Sequence, residues 1–276
     1  VAIDVPNRYG ILYRPEHRAA LFANRERIDA IELIADHWFD ARGRRGEELD
    51  LLAANFPVTL HALNTSVGTV EGCDERYLEK IANLAARVQP AWWSDHLCIT
   101  RIGTTNLGAF APLPRTREAV DVVVRNIRRI KRLVPTPFAI ENPTLAYDVA
   151  GAEYDAAAFM TAIAEEADCG MLLDVENLHA DQENLDHDPS SFAARIPIER
   201  VWEIHIAGGH RRGEEYVDSH QRPVPRETWD IYETVRQRGG TSLTLLEREA
   251  PLPPFTDLLD ELERARIVGA RRMVPA

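Results

Sequence analysis

The stretch DAAAFMTAIAEEADCGMLLDVEN, residues 155–177, places a helix-length pattern before a short apolar run, and that order decides the fold. Asp155 stands where an N-cap belongs, since its carboxylate can accept from the free backbone N–H groups of a first turn. AAAFMTAIAEEA spaces its apolar residues at three and four, the repeat of one helix face. Gly170 follows and reads as the stop of that helix. MLLD reads as a buried strand, and it ends in an acid at Asp174. An ionisable group closing an apolar run costs folding free energy unless a partner meets it.

Working outward, similar apolar runs recur at Tyr9–Tyr13, Ile28–Ile34, Val58–Leu63, Ala91–Leu97, Pro137–Asn142, Met171–Asp174, Val201–Ala207 and Leu243–Glu247. Helical patterns separate them at Arg14–Ala23, Glu47–Asn55, Asp74–Val88, Thr116–Val134, Asp155–Ala167, Pro189–Arg195 and Arg226–Arg238, and a last one runs from Pro254 to Arg272. Thr116 caps the longest of these, and Gly239 and Gly240 end the one that closes at Arg238. Alternating strands and helices predict parallel βαβ units, and eight of them predict an α/β fold of the TIM-type (β/α)8 barrel class, one domain over residues 1–276. An open doubly wound sheet would carry a glycine-rich turn after its first strand, but Arg14, Pro15 and Glu16 stand there. Val175–Asp188 and Gly208–Val224 read as long irregular loops, and both carry candidate site residues.

The chain has 276 residues, 45% of them apolar, enough for one large core. Its formal charge of −12 argues against a nucleic-acid surface. The basic run Arg125, Arg128, Arg129, Lys131, Arg132 has helical spacing and reads as a solvated face. Cys73, Cys98 and Cys169 are scattered and form no CxxC pair, which favours a reducing cytoplasm and excludes a thiolate zinc site. No run is long enough to predict a membrane span.

Polar groups close or follow run after run. His61 ends VTLH, His96 ends WWSDH, Glu141 ends FAIE, Asp174 ends MLLD with Asn177 beyond it, His205 lies in VWEIHIA, Asp218 and His220 in VDSH, and Glu247 ends LTLLE. A barrel gathers the carboxyl ends of its strands at one face, so these residues are expected to converge there. Any one of them alone could be an ordinary satisfied polar group. Together their carboxylates would repel without a cation. Imidazoles among oxygen ligands, with no thiolate, point to iron, zinc or manganese, and the number of candidates suggests two or three ions. Such sites serve hydrolysis or isomerisation with zinc or manganese, or oxygen activation with iron, and spacing does not choose between them. Trp92 and Trp93 read as packing, His179 and His210 as neighbours of the site, and Cys98 as a buried thiol.

LHALNTSVG, SDHLC, PLPRT, the IENP of Ile140–Pro143, LLDVEN, EIHIAGGH, VDSH and the LLER of Leu245–Arg248 together resemble the multinuclear non-haem iron-dependent oxidative enzymes, over about Tyr9 to Pro253. The family includes the methanobactin oxidase catalytic subunit and the enzyme of 3-thiaglutamate biosynthesis. The resemblance implies a barrel holding two or three irons, mixed Fe2+ and Fe3+, that uses O2 to oxidise a residue, most often cysteine, of a ribosomally made precursor peptide. It implies His61, His96, Glu141, Asp174, Asn177, His205, Asp218, His220 and Glu247 as iron ligands, with His96, Asp218 and Glu247 as the catalytic positions. It also implies a small partner that captures the leader peptide; neither nucleic acid nor membrane is expected as a partner, from the acidic charge and the lack of a long apolar run.

Departures from the family wording fall on the substrate side. The second-strand motif reads IELIADHWF, with Asp36 and His37 where an acid and an asparagine are usual, and AGGH displaces His210. The competing readings are a zinc- or manganese-dependent isomerase or phosphodiesterase on a related barrel, and a metal-storing module without turnover. The last would need a coordinatively closed site.

Overall fold

The structure is a computed structural model that describes residues 7–145, 147–240 and 243–270. Eight parallel strands close a barrel: β1 (Arg8–Leu12), β2 (Ala30–Ile34), β3 (Val58–His61), β4 (Trp93–His96), β5 (Phe138–Glu141), β6 (Gly170–Asp174), β7 (Val201–Ile206) and β8 (Leu243–Leu246). Each pairs with its sequence neighbours, and β8 returns to β1. The helices α1 (Arg18–Ala23), α2 (Gly43–Asn55), α3 (Glu75–Val88), α4 (Arg117–Leu133), α5 (Ala156–Ala167), α6 (Val175–Leu185), α7 (Pro189–Arg195), α8 (Arg226–Gln237) and α9 (Phe255–Ala270) connect them. The expected TIM-type barrel is what forms. No helix among the described residues is long and apolar enough to cross a membrane.

Alternation sorts the strand residues into two faces. Ile31, Leu33, Leu60, Phe138, Ile140 and Leu173 join helix residues such as Leu52, Ile81, Ile127, Ile163 and Leu262 in the main core. Ala30, Ile34, Ala139, Leu243 and Leu245 belong to a smaller, separate apolar cluster. These share strand faces with Glu32, Glu141 and Glu247, so the barrel interior is apolar low down and ionisable toward its carboxyl end. Register then sets pairs: His96 lies opposite Glu141, and Asp174 opposite His205.

Several caps follow the sequence. The Thr116 and Asp155 side chains accept from Ala119 N and Ala158 N. The basic run on α4 ties that helix to neighbours, with Arg129 on Glu75 and Arg128 on the Glu166 carbonyl.

Other readings are corrected. Val175–Asp188 is not an irregular loop, because most of it forms α6, capped by Asp174 accepting from Asn177 N. Its polar residues Glu176, Asn177, His179 and Asp181 are buried, which erased the apolar stripe that marks a helix. Gly208–Val224 carries a hairpin, His210–Arg212 with Glu215–Val217. A second hairpin, Ile99–Ile102 with Thr105–Ala111, stands unanticipated between β4 and α4. Its longer strand is mostly exposed, so no buried face imposed a period of two. The expected end of the last helix at Arg272 lies outside the described residues.

Gly170 does not stop α5. Asp168 does, in the left-handed region at φ 50. Gly170 opens β6 because a Cβ there would lie 2.2 Å from the Trp202 ring. Gly170→Ala must therefore displace a buried indole. Denaturant unfolding should find it destabilised by about 1–3 kcal/mol, the usual cost of overpacking. A midpoint unchanged from wild type would contradict this packing account.

Candidate metal centre

The barrel's carboxyl end brings all nine expected residues together. His61, Glu141, Asp174, Asn177, His205 and Glu247 are buried, and Asp218 and His220 close over them from the segment after β7. Among the described residues the ligand atoms form overlapping triads, each within 4.8 Å: His61, His96 and Glu141; Glu141, Asp174 and His205; Asp174, His220 and Glu247. Glu141 and Asp174 each belong to two triads. Glu141 and Asp174 could therefore each serve two neighbouring ions.

His61 and His96 are held from behind by groups outside the triads. His61 Nδ1 lies 2.8 Å from Ser94 Oγ, leaving Nε2 3.4 Å from Glu141 Oε2. His96 Nδ1 faces Asp95 at 3.4 Å, and its Nε2 lies 3.5 Å from the same Glu141 oxygen. His205 Nδ1 and His220 Nδ1 both lie 3.2 Å from Glu247 Oε2. His220 Nε2 is 2.6 Å from Asp218 Oδ1. Thr144 Oγ1 donates to Asn177 Oδ1 at 2.5 Å and to Asp218 Oδ2 at 3.1 Å, tying those two together. Asn142 brackets Asp174, accepting from its N–H and donating to its carbonyl, both at 2.9 Å.

The donor set fits transition-metal ions. Glu141 Oε2, Asp174 Oδ2, Asp218 Oδ1, His205 Nδ1 and His220 Nε2 are buried atoms without an aligned hydrogen bond among the described residues. Short distances without alignment are what atoms aimed at a common ion produce. Burial pushes Glu141 up to about 8 and Asp174 up to about 6, with nearby imidazoles opposing. Burial also lowers His61 well below the usual imidazole range. For His96 burial acts downward, but Glu141 and Asp95 outweigh it and carry the group up to about 9. At His205 and His220 the neighbouring carboxylates likewise overcome burial and hold both well above the ordinary value. Without an ion, protons balance the charge. No cysteine joins a ligand group among the described residues.

A cavity of about 440 Å³ opens above the triads. Its mouth is framed by Arg14, His37, Leu63, Phe110 and Glu249. The Phe110 ring, on the hairpin after β4, stacks on His96 with centroids 4.0 Å apart. Asp36 is not at the mouth. It clamps the Leu63 N–H, the Asn64 amide and the Tyr77 hydroxyl. Trp92 and Trp93 pack in the core, His179 contacts Tyr216, and His210 meets Ser219, all outside the triads.

Sequence reading missed Glu32 and Glu203, which form a further group with His205 below the triads. Glu203 stands two residues before His205, so the strand period alone could have placed it on the same face. Glu32 carried a weaker signal, an acid in the middle of AIELI.

A sequence profile of the family described as RiPP precursor modification enzyme MbnB/TglH/ChrH matches residues 8–270. A UPF0276 protein of Caulobacter vibrioides is 35% identical over 267 residues, covering 96% of this chain and 95% of the relative. A UPF0276 protein of Rhizorhabdus wittichii is 37% identical over 248 residues, covering 89% and 88%. Among solved structures, a xylose isomerase domain protein from Planctomyces limnophilus superposes with a TM-score of 0.65 at 11% identity, covering 96% and 98%. D-psicose 3-epimerase crystallised with D-fructose gives 0.61 at 12%, covering 95% and 99%. Such low identities establish a shared barrel and nothing about chemistry.

Metal uptake must displace protons from imidazoles that the folded chain holds above their usual pKa. Affinity therefore rises with pH and falls as acid returns those protons. Anaerobic titration with Fe(II) or Zn(II) should give weaker binding at pH 6 than at pH 8, by about tenfold per unit for each proton displaced. Binding independent of pH would contradict this assignment of ligands.

Proposed function

The chain belongs to the RiPP precursor modification enzyme family MbnB/TglH/ChrH, and on that premise we propose that it oxidises a residue of a ribosomally made precursor peptide at a cluster of two or three irons. The observation that carries this reading is the chain of triads sharing Glu141 and Asp174. Imidazole-rich oxygen and nitrogen donors without thiolate suit iron in mixed Fe2+ and Fe3+ states. Bound iron would supply activation of O2 and a coordination point for the heteroatom of the substrate side chain. All nine residues from His61 to Glu247 are assigned as its ligands, with His96, Asp218 and Glu247 nearest the chemistry.

The chain's own groups set the conditions for that step. Ser94, Asp95 and Thr144 fix the ligands' orientation, so no reorganisation is needed when substrate arrives. Phe110 and Leu63 line the cavity beside the centre. The cavity of about 440 Å³ suits one side chain with its flanking backbone, as expected for a peptide residue rather than a free polymer. A small partner that captures the leader is part of the proposal.

A zinc- or manganese-dependent isomerase is the second reading, because imidazole and carboxylate donors without thiolate suit those ions as well. Metal identity and oxygen consumption separate the two.

Co-expression with a short precursor encoded beside this chain should produce a mass shift in the peptide that depends on iron and O2. His96→Ala and Glu247→Gln should abolish that shift and lower iron per chain while circular dichroism stays that of the wild type. Full modification by either variant, or turnover with zinc under anaerobic conditions, would overturn the assignment.

A further inference from the structure

We infer that Glu32 is a positioning residue of the metal centre, holding His205 from its Nε2 side so that Nδ1 is the atom presented to the ion. The inference rests on the ligand set proposed above. His205 is fully buried, and its two nitrogens face different parts of the barrel. Nδ1 lies 3.2 Å from Glu247 Oε2 and 3.9 Å from Asp174 Oδ2, both members of the triads. Nε2 lies 3.2 Å from Glu32 Oε1 and 4.0 Å from Glu203 Oε1.

These two acids differ in commitment. Glu203 is anchored by the Trp92 indole N–H at 2.6 Å and the Thr59 hydroxyl at 3.3 Å. Glu32 is equally buried, yet neither of its oxygens has an aligned hydrogen bond among the described residues. It is the acid free to follow the imidazole. Its place is rigid all the same, since β2 is buried throughout and pairs with β1 and β3 on either side.

The chemistry follows from the single lone pair of a neutral imidazole. Both ring nitrogens face carboxyl oxygens, but only the Nδ1 side adjoins the cavity, through Glu247, so an ion arriving from it meets Nδ1 and the proton is left on Nε2 facing Glu32. The remaining lone pair must then lie on Nδ1, on the side of Asp174 and Glu247. A carboxylate behind a ligating histidine fixes ring orientation and raises its basicity, and loss of such a partner typically weakens metal binding. Glu203, farther away and already engaged, contributes less.

The test uses full-length protein with 15N-labelled histidine and Zn(II) as the probe, so its readout does not depend on catalysis. Long-range 1H–15N spectra of the zinc-loaded wild type should give His205 a slowly exchanging Nε2 proton and a metal-bound Nδ1. Glu32→Leu should lose the protection of that proton and weaken zinc binding by about 10–100-fold. Glu32→Gln keeps an accepting oxygen and should restore most of both. Metal found on Nε2, as would follow if Glu32, Glu203 and His205 held an ion of their own, overturns the inference. So does a zinc affinity in folded Glu32→Leu within about twofold of wild type. The wild-type spectrum decides the coordinating nitrogen even where Glu32→Leu fails to fold. Wild-type protein that takes up no ion sinks the ligand set and this inference together, whereas normal uptake with no effect at Glu32 sinks the inference alone.

Discussion

The structure depends on one constraint: a closed parallel barrel turns every second strand residue inward, and here the inward positions at the carboxyl end are ionisable. Glu141, Asp174 and Glu247 cannot all be charged in that space without compensation. Two unit charges 4 Å apart repel by about 4 kcal/mol even at an effective dielectric constant near 20. Protons can supply the balance, which is why burial and neighbouring charges drive Glu141 and His96 to values near 8 and 9. Metal ions can supply it more completely, and they satisfy the atoms that have no aligned hydrogen bond.

The same constraint explains where precision comes from. Register sets His96 against Glu141 and Asp174 against His205 across hydrogen-bonded strands, so these pairs cannot drift independently. Groups behind the ligands then choose which nitrogen points inward: Ser94 for His61, Asp95 for His96 and, by the inference above, Glu32 for His205. Other contributions come from segments beyond the strands. Asp218 and His220 follow a hairpin, Phe110 sits on another, and Thr144 stands in the loop after β5.

Much of this was legible before any coordinates. The strands were readable because each is a short apolar run between helix-length patterns, and the site was readable because those runs end in His, Glu or Asp. What escaped notice did so for physical reasons. α6 buries polar residues, so it has no apolar stripe to reveal it. The hairpin around Gly103 lies in solvent, so nothing forces its residues to alternate. Gly170 followed a helix, yet its role is to make room for Trp202, a contact remote in sequence. Glu32 ends no strand, and its pairing with His205 arises only when β2 and β7 are closed into one barrel. Local pattern records what a segment buries; it does not record what arrives from across the barrel.

The central claim is that this interior is a cage for several ions. Its most direct test is a crystal structure of protein loaded anaerobically with iron, with anomalous diffraction collected on either side of the iron edge. The account requires two or three iron peaks inside the linked triads, with Glu141 or Asp174 between neighbouring ions. A single peak outside them, or none with the side chains held as described, would contradict it.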